Sequence, residues 1–148
     1  MPKFDSRRRY VSLLTIIVVA ICAFLVVVVQ NAQLASEAER NLHATIYTCT
    51  IIDKLIVREK RWPTSWKDLV SSLSELDRTE LPMQMSMSDI ENRVFVRFDV
   101  TLEDVARKSN ADELIRPIGV CYSSYRNKVL LVVETARRIC STSATSTE

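Results

Sequence analysis

The sequence predicts an α+β fold, in which an N-terminal transmembrane helix continues into a long amphipathic helix that packs on a small antiparallel sheet. Residues 11–29 contain no charge, glycine or proline, the residues after them repeat apolar side chains in steps of three or four, and a later segment alternates apolar and polar positions. We expect five parts: a basic cytoplasmic tail (1–10), a transmembrane helix (11–29), an amphipathic extension (30–61), an extracytoplasmic α+β domain (62–140) whose core includes the 46–61 end of the helix, and a disordered tail (141–148).

The apolar run at 11–29 has the length of a membrane span. A helix rises about 1.5 Å per residue, so this run reaches about 28 Å, close to the hydrocarbon thickness of a bilayer. Lipid offers no partner to backbone N–H or C=O groups, and a lone span must therefore be helical. The side chains predicted to contact the lipid bilayer include Val11, Leu14, Ile17, Val19, Phe24 and Val29.

The charges on either side of this run predict its orientation. The first ten residues carry four cations and one carboxylate, a net charge of +3, whereas Arg40 is the only cation between positions 30 and 44. Because Lys and Arg are retained on the cytoplasmic side, we expect a cytoplasmic N-terminus and an extracytoplasmic C-terminal domain. A cleaved signal peptide is the alternative. Its apolar core is usually about 7–15 residues and ends at an A-x-A-like site, so the longer run here predicts a retained anchor.

Composition argues against several classes of function. The net charge is +2 and the basic tail supplies +3, so the exported part is near neutral and lacks the electrostatic signature of nucleic-acid binding. Gly119 is the only glycine, so no glycine-rich loop is available for a phosphate-bearing cofactor. We expect no cofactor and no nucleic-acid partner.

The cysteines form no metal-binding pattern. They stand at positions 22, 49, 121 and 140, without a CxxC or a Cys/His spacing, so no metal ligands are predicted. Cys49, Cys121 and Cys140 belong to the exported part, where a disulfide is permitted. Buried reduced thiols are the favoured interpretation, and one bridge is the alternative.

Residues 30–61 are predicted to extend the helix with an amphipathic segment. This segment has no Gly or Pro, and its apolar face comprises Leu34, Ala38, Leu42, Ile46, Cys49, Ile52 and Ile56. The apolar stripe broadens toward its end, where we expect it to pack on the domain. Its thinner beginning, at Leu34 and Leu42, is compatible with either a solvated stalk or a contact with another subunit.

The domain is predicted to begin where the long helix ends, with a short helix and then a connecting segment. Trp62-Pro63 ends the long helix, because proline disfavours the α conformation in the residue before it. Ser65 and Asp68 have the spacing of a capping box and predict a helix over 65–77. The segment at 81–89 is expected to be a connection in which Met83, Met85 and Met87 pack irregularly.

The remaining pattern predicts an antiparallel sheet. Residues 93–100 alternate as a half-buried strand does. Thr101 and Asp104 repeat the capping-box spacing and predict a short helical or looped excursion through Asn110. Three further elements complete the prediction: a strand at 118–123, a turn at 125–127 and an apolar strand at 128–135.

With this order of elements, the chain resembles type IV pilins and the pseudopilins of type II secretion systems. The segment at 61–69, RWPTSWKDL, is similar to the aromatic-Pro step and short helix that end the long helix in many of these proteins. The resemblance implies a structural subunit of a bacterial envelope or secretion assembly, located in the inner membrane. It also implies protein partners and self-association through the N-terminal helix.

Few residues suit catalysis. His43 is the only histidine, and a position on a helix surface is favoured over a Ser/His/Asp or Cys/His arrangement. We therefore predict no enzyme and no catalytic residue. Trp62 and Trp66 are expected to pack in the core, and a protein interface is the alternative for both. Leu34 and Leu42 are also possible interface residues. A single-pass protein with an extracytoplasmic binding, scaffold or sensing domain is the alternative function, and an envelope hydrolase is a disfavoured third.

Overall fold

The computed structural model describes residues 5–73 and 85–145. Their elements, in chain order, are helix α1 (Asp5–Glu59), helix α2 (Trp66–Ser71), helix α3 (Met87–Arg93), strand β1 (Val94–Val96), helix α4 (Leu102–Arg107), a 3₁₀ turn (Ala111–Glu113), strand β2 (Ile115–Pro117) and helix α5 (Tyr125–Thr145). The chain divides into two compact units, and the boundary lies inside α1, between Ser36 and Glu37. The fold class is α+β, with much more helix than sheet.

Helix α1 confirms the long predicted helix but ends earlier than residue 61. Its last residue is Glu59, and Lys60 adopts a left-handed conformation with φ of 54°. The amide of Lys60 donates to the carbonyl of Ile56 at 2.9 Å, which satisfies one of the helix's last carbonyls. The backbone therefore leaves the helix two residues before the predicted Trp62-Pro63 stop.

The predicted apolar stripe of α1 is largely buried in the second unit. Ala38, Cys49, Ile52 and Ile56 are buried. Leu42 and Ile46 are half-buried. The stripe broadens near its end, where Ile51 and Leu55 are also buried, but Val57, predicted to belong to the same broad face, is 59% exposed.

Helix α2 is shorter than predicted. Ser65 caps it, accepting a hydrogen bond from the Asp68 amide, but the helix ends at Ser71. Ser72 follows in a helical conformation and its amide bonds back to Asp68 and Val70, closing the last turn. The rest of the predicted range, 74–77, lies outside the described residues.

Two capping boxes begin the next two helices. The side chain of Ser86 and the backbone of Asp89 form one, so α3 occupies part of what the sequence predicted as a connection. The signal was the Ser-x-x-Asp spacing. The equivalent spacing at Thr101 and Asp104 predicted a helical or looped excursion, and helix α4 forms there. Met85 is buried and Met87 half-buried, whereas Met83 lies outside the described residues.

The described part of the chain contains one sheet, smaller than predicted. It has two antiparallel strands, β1 and β2, with the pairs Val94↔Pro117, Phe95↔Arg116 and Val96↔Ile115. The predicted strand at 93–100 therefore shrinks to three residues. The predicted strand at 118–123 is wrong, because pairing occurs at 115–117 and the chain then leaves the sheet.

Helix α5 replaces the predicted final turn, strand and tail. The predicted turn at 125–127 and strand at 128–135 are wrong. Of the tail predicted to be disordered at 141–148, residues 141–145 are helical and residues 146–148 lie outside the described residues. The buried side chains follow a helical period: Tyr125, Val129, Val132, Val133 and Ala136. The intervening Leu130 and Leu131 are exposed. The apolar run is thus divided between a core face and a solvent face.

The core of the second unit joins α1 to every other described element. Its largest fully buried side chains are Ile52, Leu55 and Ile56 from α1, Leu69 from α2, Met85 and Ile90 at α3, Val94 from β1, Val105 from α4, Leu114 and Ile115 at β2, and Val129 and Val132 from α5. Arg137 of α5 also donates to the carbonyls of Ala106 and Lys108, each at 2.8 Å. These bonds hold the end of α4 against α5.

Candidate membrane anchor and interaction surfaces

The described part of the first unit is an exposed apolar helix. Every side chain from 11 to 36 is exposed. The six predicted anchor residues are between 48% and 67% exposed: Val11, Leu14, Ile17, Val19, Phe24 and Val29. A large contiguous apolar surface of this kind marks a contact with membrane or protein. This part of α1 is long and apolar enough to cross a membrane.

One polar side chain inside the apolar run is satisfied by the helix itself. The hydroxyl of Thr15 donates to the carbonyl of Val11 at 2.8 Å. A donor satisfied in this way needs no water, so Thr15 is compatible with a hydrocarbon environment.

The two tryptophans considered as interface residues pack within the second unit. Trp62 is 4% exposed, and its indole N–H donates to the carbonyl of Arg97 at 2.7 Å. Trp66 is half-buried and meets Phe98 edge to face, with ring centroids 5.9 Å apart. Trp62 is therefore a core residue, and Trp66 packs at the margin of the same core.

The two leucines considered as interface residues lie in different environments. Leu42 is half-buried against the core of the second unit. Leu34 belongs to the first unit and is 53% exposed. Of the four candidates, Leu34 is the one that presents most of its side chain to a partner or a membrane.

A charged cluster holds the segment that joins α1 to α2. The two outer nitrogens of Arg61 donate to the two carboxylate oxygens of Asp68, at 2.6 and 2.8 Å. The amide and hydroxyl of Thr64 also donate to Asp68, at 2.8 and 3.1 Å. The Arg61 guanidinium, with help from Thr64, holds the pKa of Asp68 well below its usual range. The cluster fixes the turn between α1 and α2 around Trp62-Pro63.

The Asp68 cluster predicts a pH-dependent contribution to stability. We expect Asp68→Asn to lower the free energy of unfolding by about 1–2 kcal/mol at pH 7, because it removes charge-assisted hydrogen bonds. This value is at the low end for such bonds, because Arg61 is partly exposed to solvent. Because the folded pKa is depressed, the contribution is present above the unfolded pKa of about 4 and is lost as the pH falls through the folded value.

Urea unfolding of the wild type and Asp68→Asn at several pH values measures this effect. The difference in unfolding free energy should narrow as the pH falls below about 4. Asp104→Asn is the matched comparison, because Asp104 also caps a helix but has no hydrogen-bonded Arg partner. Its bonds from Thr101 lower its pKa as well, so its effect should narrow over the same pH range but be smaller. A difference that stays constant down to pH 2 would contradict a charge-based role for Asp68.

A buried asparagine joins α1 to the loop that follows β2. The amide nitrogen of Asn41 donates to the carbonyls of Ile118 and Val120, at 3.3 and 2.8 Å. Its oxygen accepts from Arg93 at 2.8 Å. Gly119 lies between the two carbonyls with φ of 94°, a conformation that suits glycine. Sequence reasoning did not predict this set of hydrogen bonds, the Asn41 clamp, although a polar Asn41 within the apolar stripe was an available signal.

Two shallow cavities adjoin on the surface near the sheet. Their volumes are about 540 and 420 Å³, and both are lined by Asp112 and Arg116. Phe95 lines the larger one, with the guanidinium carbon of Arg116 4.9 Å from its ring centroid. These residues were not among the predicted site residues, because β1 and β2 are far apart in sequence and no motif marks them.

The nucleophilic and metal-ligating side chains are dispersed. All four cysteines are free thiols, so no disulfide forms. Burial raises the pKa of the Cys49 thiol to about 12, and burial also raises the pKa values of Cys121 and Cys140. His43 lies on the surface of α1, 3.9 Å from Glu39. Among the residues that the structure describes, no three His, Cys, Asp or Glu side chains are grouped to hold a metal ion.

Comparison of the chain with protein-family models, with characterised proteins and with solved structures found no match.

Proposed function

We propose that this chain is a single-pass membrane protein whose extracytoplasmic domain binds or scaffolds other proteins and does not catalyse a reaction. The observation that carries the proposal is the fully exposed apolar segment of α1, whose large side chains otherwise face water. The net charge of +3 before this segment supports a cytoplasmic N-terminus, with the domain outside the cytoplasm. A bacterial inner membrane enters the proposal only through the resemblance to pilins and pseudopilins.

Exposed apolar side chains on the second unit support a protein-binding role. The loop held by Asn41 presents Ile118, Val120 and Tyr122, which are 49% to 57% exposed. The Asn41 bonds and the hydrogen bond from the Ile118 amide to the Arg93 carbonyl hold the backbone of this loop, so these side chains extend from a fixed backbone. A loop whose backbone is already fixed loses less entropy on binding, which favours a protein contact.

A pilin-like structural subunit of an envelope or type II secretion assembly is the second candidate. One observation favours it: α1 carries the apolar run and the amphipathic stripe in a single helix. Self-association through the apolar part of α1 is the mode of assembly this candidate requires. Co-purification with a secretion ATPase and its membrane platform separates it from a binding domain that acts outside such an assembly.

Reporter fusions at the C-terminus test the topology. We expect alkaline phosphatase activity and no fluorescence from a cytoplasmic fluorescent reporter, because the basic tail should keep the N-terminus in the cytoplasm. A fluorescent, phosphatase-negative fusion would contradict the orientation and, with it, both candidate functions, since each requires an extracytoplasmic domain.

A charge-insertion variant tests the anchor itself. Each Arg near the centre of a membrane helix costs about 2.5–3.5 kcal/mol, so Val19→Arg with Phe24→Arg should move the protein out of the carbonate-washed membrane fraction. Val57→Arg is the control, because Val57 is exposed on the part of α1 that belongs to the second unit. Retention of the double variant in the membrane would show that another feature anchors the chain.

A further inference from the structure

We propose that Arg116 and Phe95 form a binding site for a carboxylate group carried by a polypeptide partner. The two residues are cross-strand neighbours, on β2 and β1, at the mouth of the larger cavity. The inference does not depend on whether α1 spans a membrane, since it rests on the second unit alone.

Charge pairing around the cavities leaves Arg116 without a partner. Three cations near the larger cavity are each paired with a carboxylate at 2.8 to 3.0 Å: Arg97 with Asp99, Lys108 with Glu113, and Arg126 with Asp112. Among the described residues, no carboxylate lies within ion-pair distance of Arg116, although Asp112 lines the same two cavities. Of these four cations, Arg116 is therefore the one whose charge no described carboxylate neutralises.

Phe95 gives that charge a fixed orientation. The guanidinium carbon of Arg116 lies 4.9 Å from the ring centroid, within the range of a cation–π contact. A guanidinium that contacts a ring loses less conformational freedom when it binds, and its planar set of N–H donors matches the two oxygens of a carboxylate. The site is thus partly preorganised before any ligand arrives.

The surrounding charges favour a polypeptide over a polyanion. Asp99, Asp112 and Glu113 line the larger cavity and would repel a second negative charge on a ligand. The three acids are paired with Arg97, Arg126 and Lys108, so positive and negative side chains both lie around Arg116. A surface of mixed charge suits a polypeptide, which carries both hydrogen-bond donors and acceptors. A single carboxylate, from an acidic side chain or a chain terminus, adds one negative charge that Arg116 neutralises, whereas a polyanion would add further charges that no unpaired cation neutralises.

Peptide titrations of the full chain in detergent micelles test the site. The probes are Ac-Ala-Glu-Ala-NH₂, Ac-Ala-Gln-Ala-NH₂ and Ac-Ala-Ala-Ala with a free C-terminal carboxylate, followed by the amide shifts of β1 and β2. We expect saturable shifts with at least one carboxylate peptide, and binding of the Gln peptide at least about tenfold weaker. The Glu and C-terminal probes distinguish the two sources of carboxylate.

Matched variants locate the binding. Arg116→Gln should weaken the carboxylate peptide about tenfold, Arg116→Lys less, and Phe95→Leu severalfold. Arg138→Gln removes an exposed cation of α5 outside both cavities and should leave binding unchanged. The proposal is overturned if no carboxylate peptide saturates, if the Gln peptide binds equally well, or if Arg138→Gln matches the loss in Arg116→Gln. The dispersed amide spectrum of each variant shows that it is folded.

Discussion

Replacing Ile52 with Asp is expected to unfold the second unit. Ile52 is fully buried at the centre of the α1 stripe, and a carboxylate there would have to neutralise itself or leave the core. Even Ile52→Ala should lower the free energy of unfolding by about 2–5 kcal/mol, a large share of the total for a small domain. Urea denaturation of a fragment that starts at Asn31 measures both changes without detergent.

Val57→Asp is the matched control for this experiment. It introduces the same carboxylate into the same helix five residues later, where the side chain is 59% exposed. A surface change of this kind usually alters the free energy of unfolding by no more than about 0.5 kcal/mol. An acid near a helix C-terminus lowers it slightly further, because it interacts unfavourably with the helix dipole. Equal destabilisation by Ile52→Asp and Val57→Asp would mean that α1 does not form part of the core.

Replacing Trp62 with Ala is expected to lower the free energy of unfolding by about 3–5 kcal/mol. The indole is buried, and its N–H donates to the carbonyl of Arg97, the residue that follows β1. Trp62→Phe should retain much of the packing but remove the hydrogen bond, at a cost of about 1–3 kcal/mol. The same fragment and the same denaturation measurement give both values.

Trp66 provides the comparison for Trp62. Its ring is only half-buried, against Phe98, so Trp66→Ala should cost less than Trp62→Ala. The reverse order would mean that the turn around Trp62-Pro63 is less important to the core than its burial indicates.

The candidate anchor was predictable from sequence because its signal is local and long. A run of apolar residues at 11–29 has one low-energy solution in lipid, and the charges beside it require no tertiary information. The amphipathic stripe after it was predictable for the same reason, since Ala38, Cys49, Ile52 and Ile56 repeat over several turns. The capping boxes at Ser65 and Thr101 were also local signals, and each begins a helix.

The Arg116–Phe95 site could not be predicted in this way. Its two residues are brought together by the register of β1 and β2, which depends on which residues of each strand enter the core. The Asn41 clamp likewise joins α1 to carbonyls near position 119, far along the chain. Neither arrangement has a local sequence pattern, because the contacts form between segments whose spacing in sequence carries no information about their distance in space.

The sequence by itself determined the long N-terminal helix, its apolar segment, its buried stripe and the starts of two short helices. Only the tertiary structure decided the state of residues 128–135, KVLLVVET, whose β-branched residues are compatible with a buried strand or a helix. As helix α5, the segment buries Val129, Val132 and Val133 against the core and leaves Leu130 and Leu131 exposed. Local preference was too weak to choose between the two, and packing against α4 and the 3₁₀ turn overrides it.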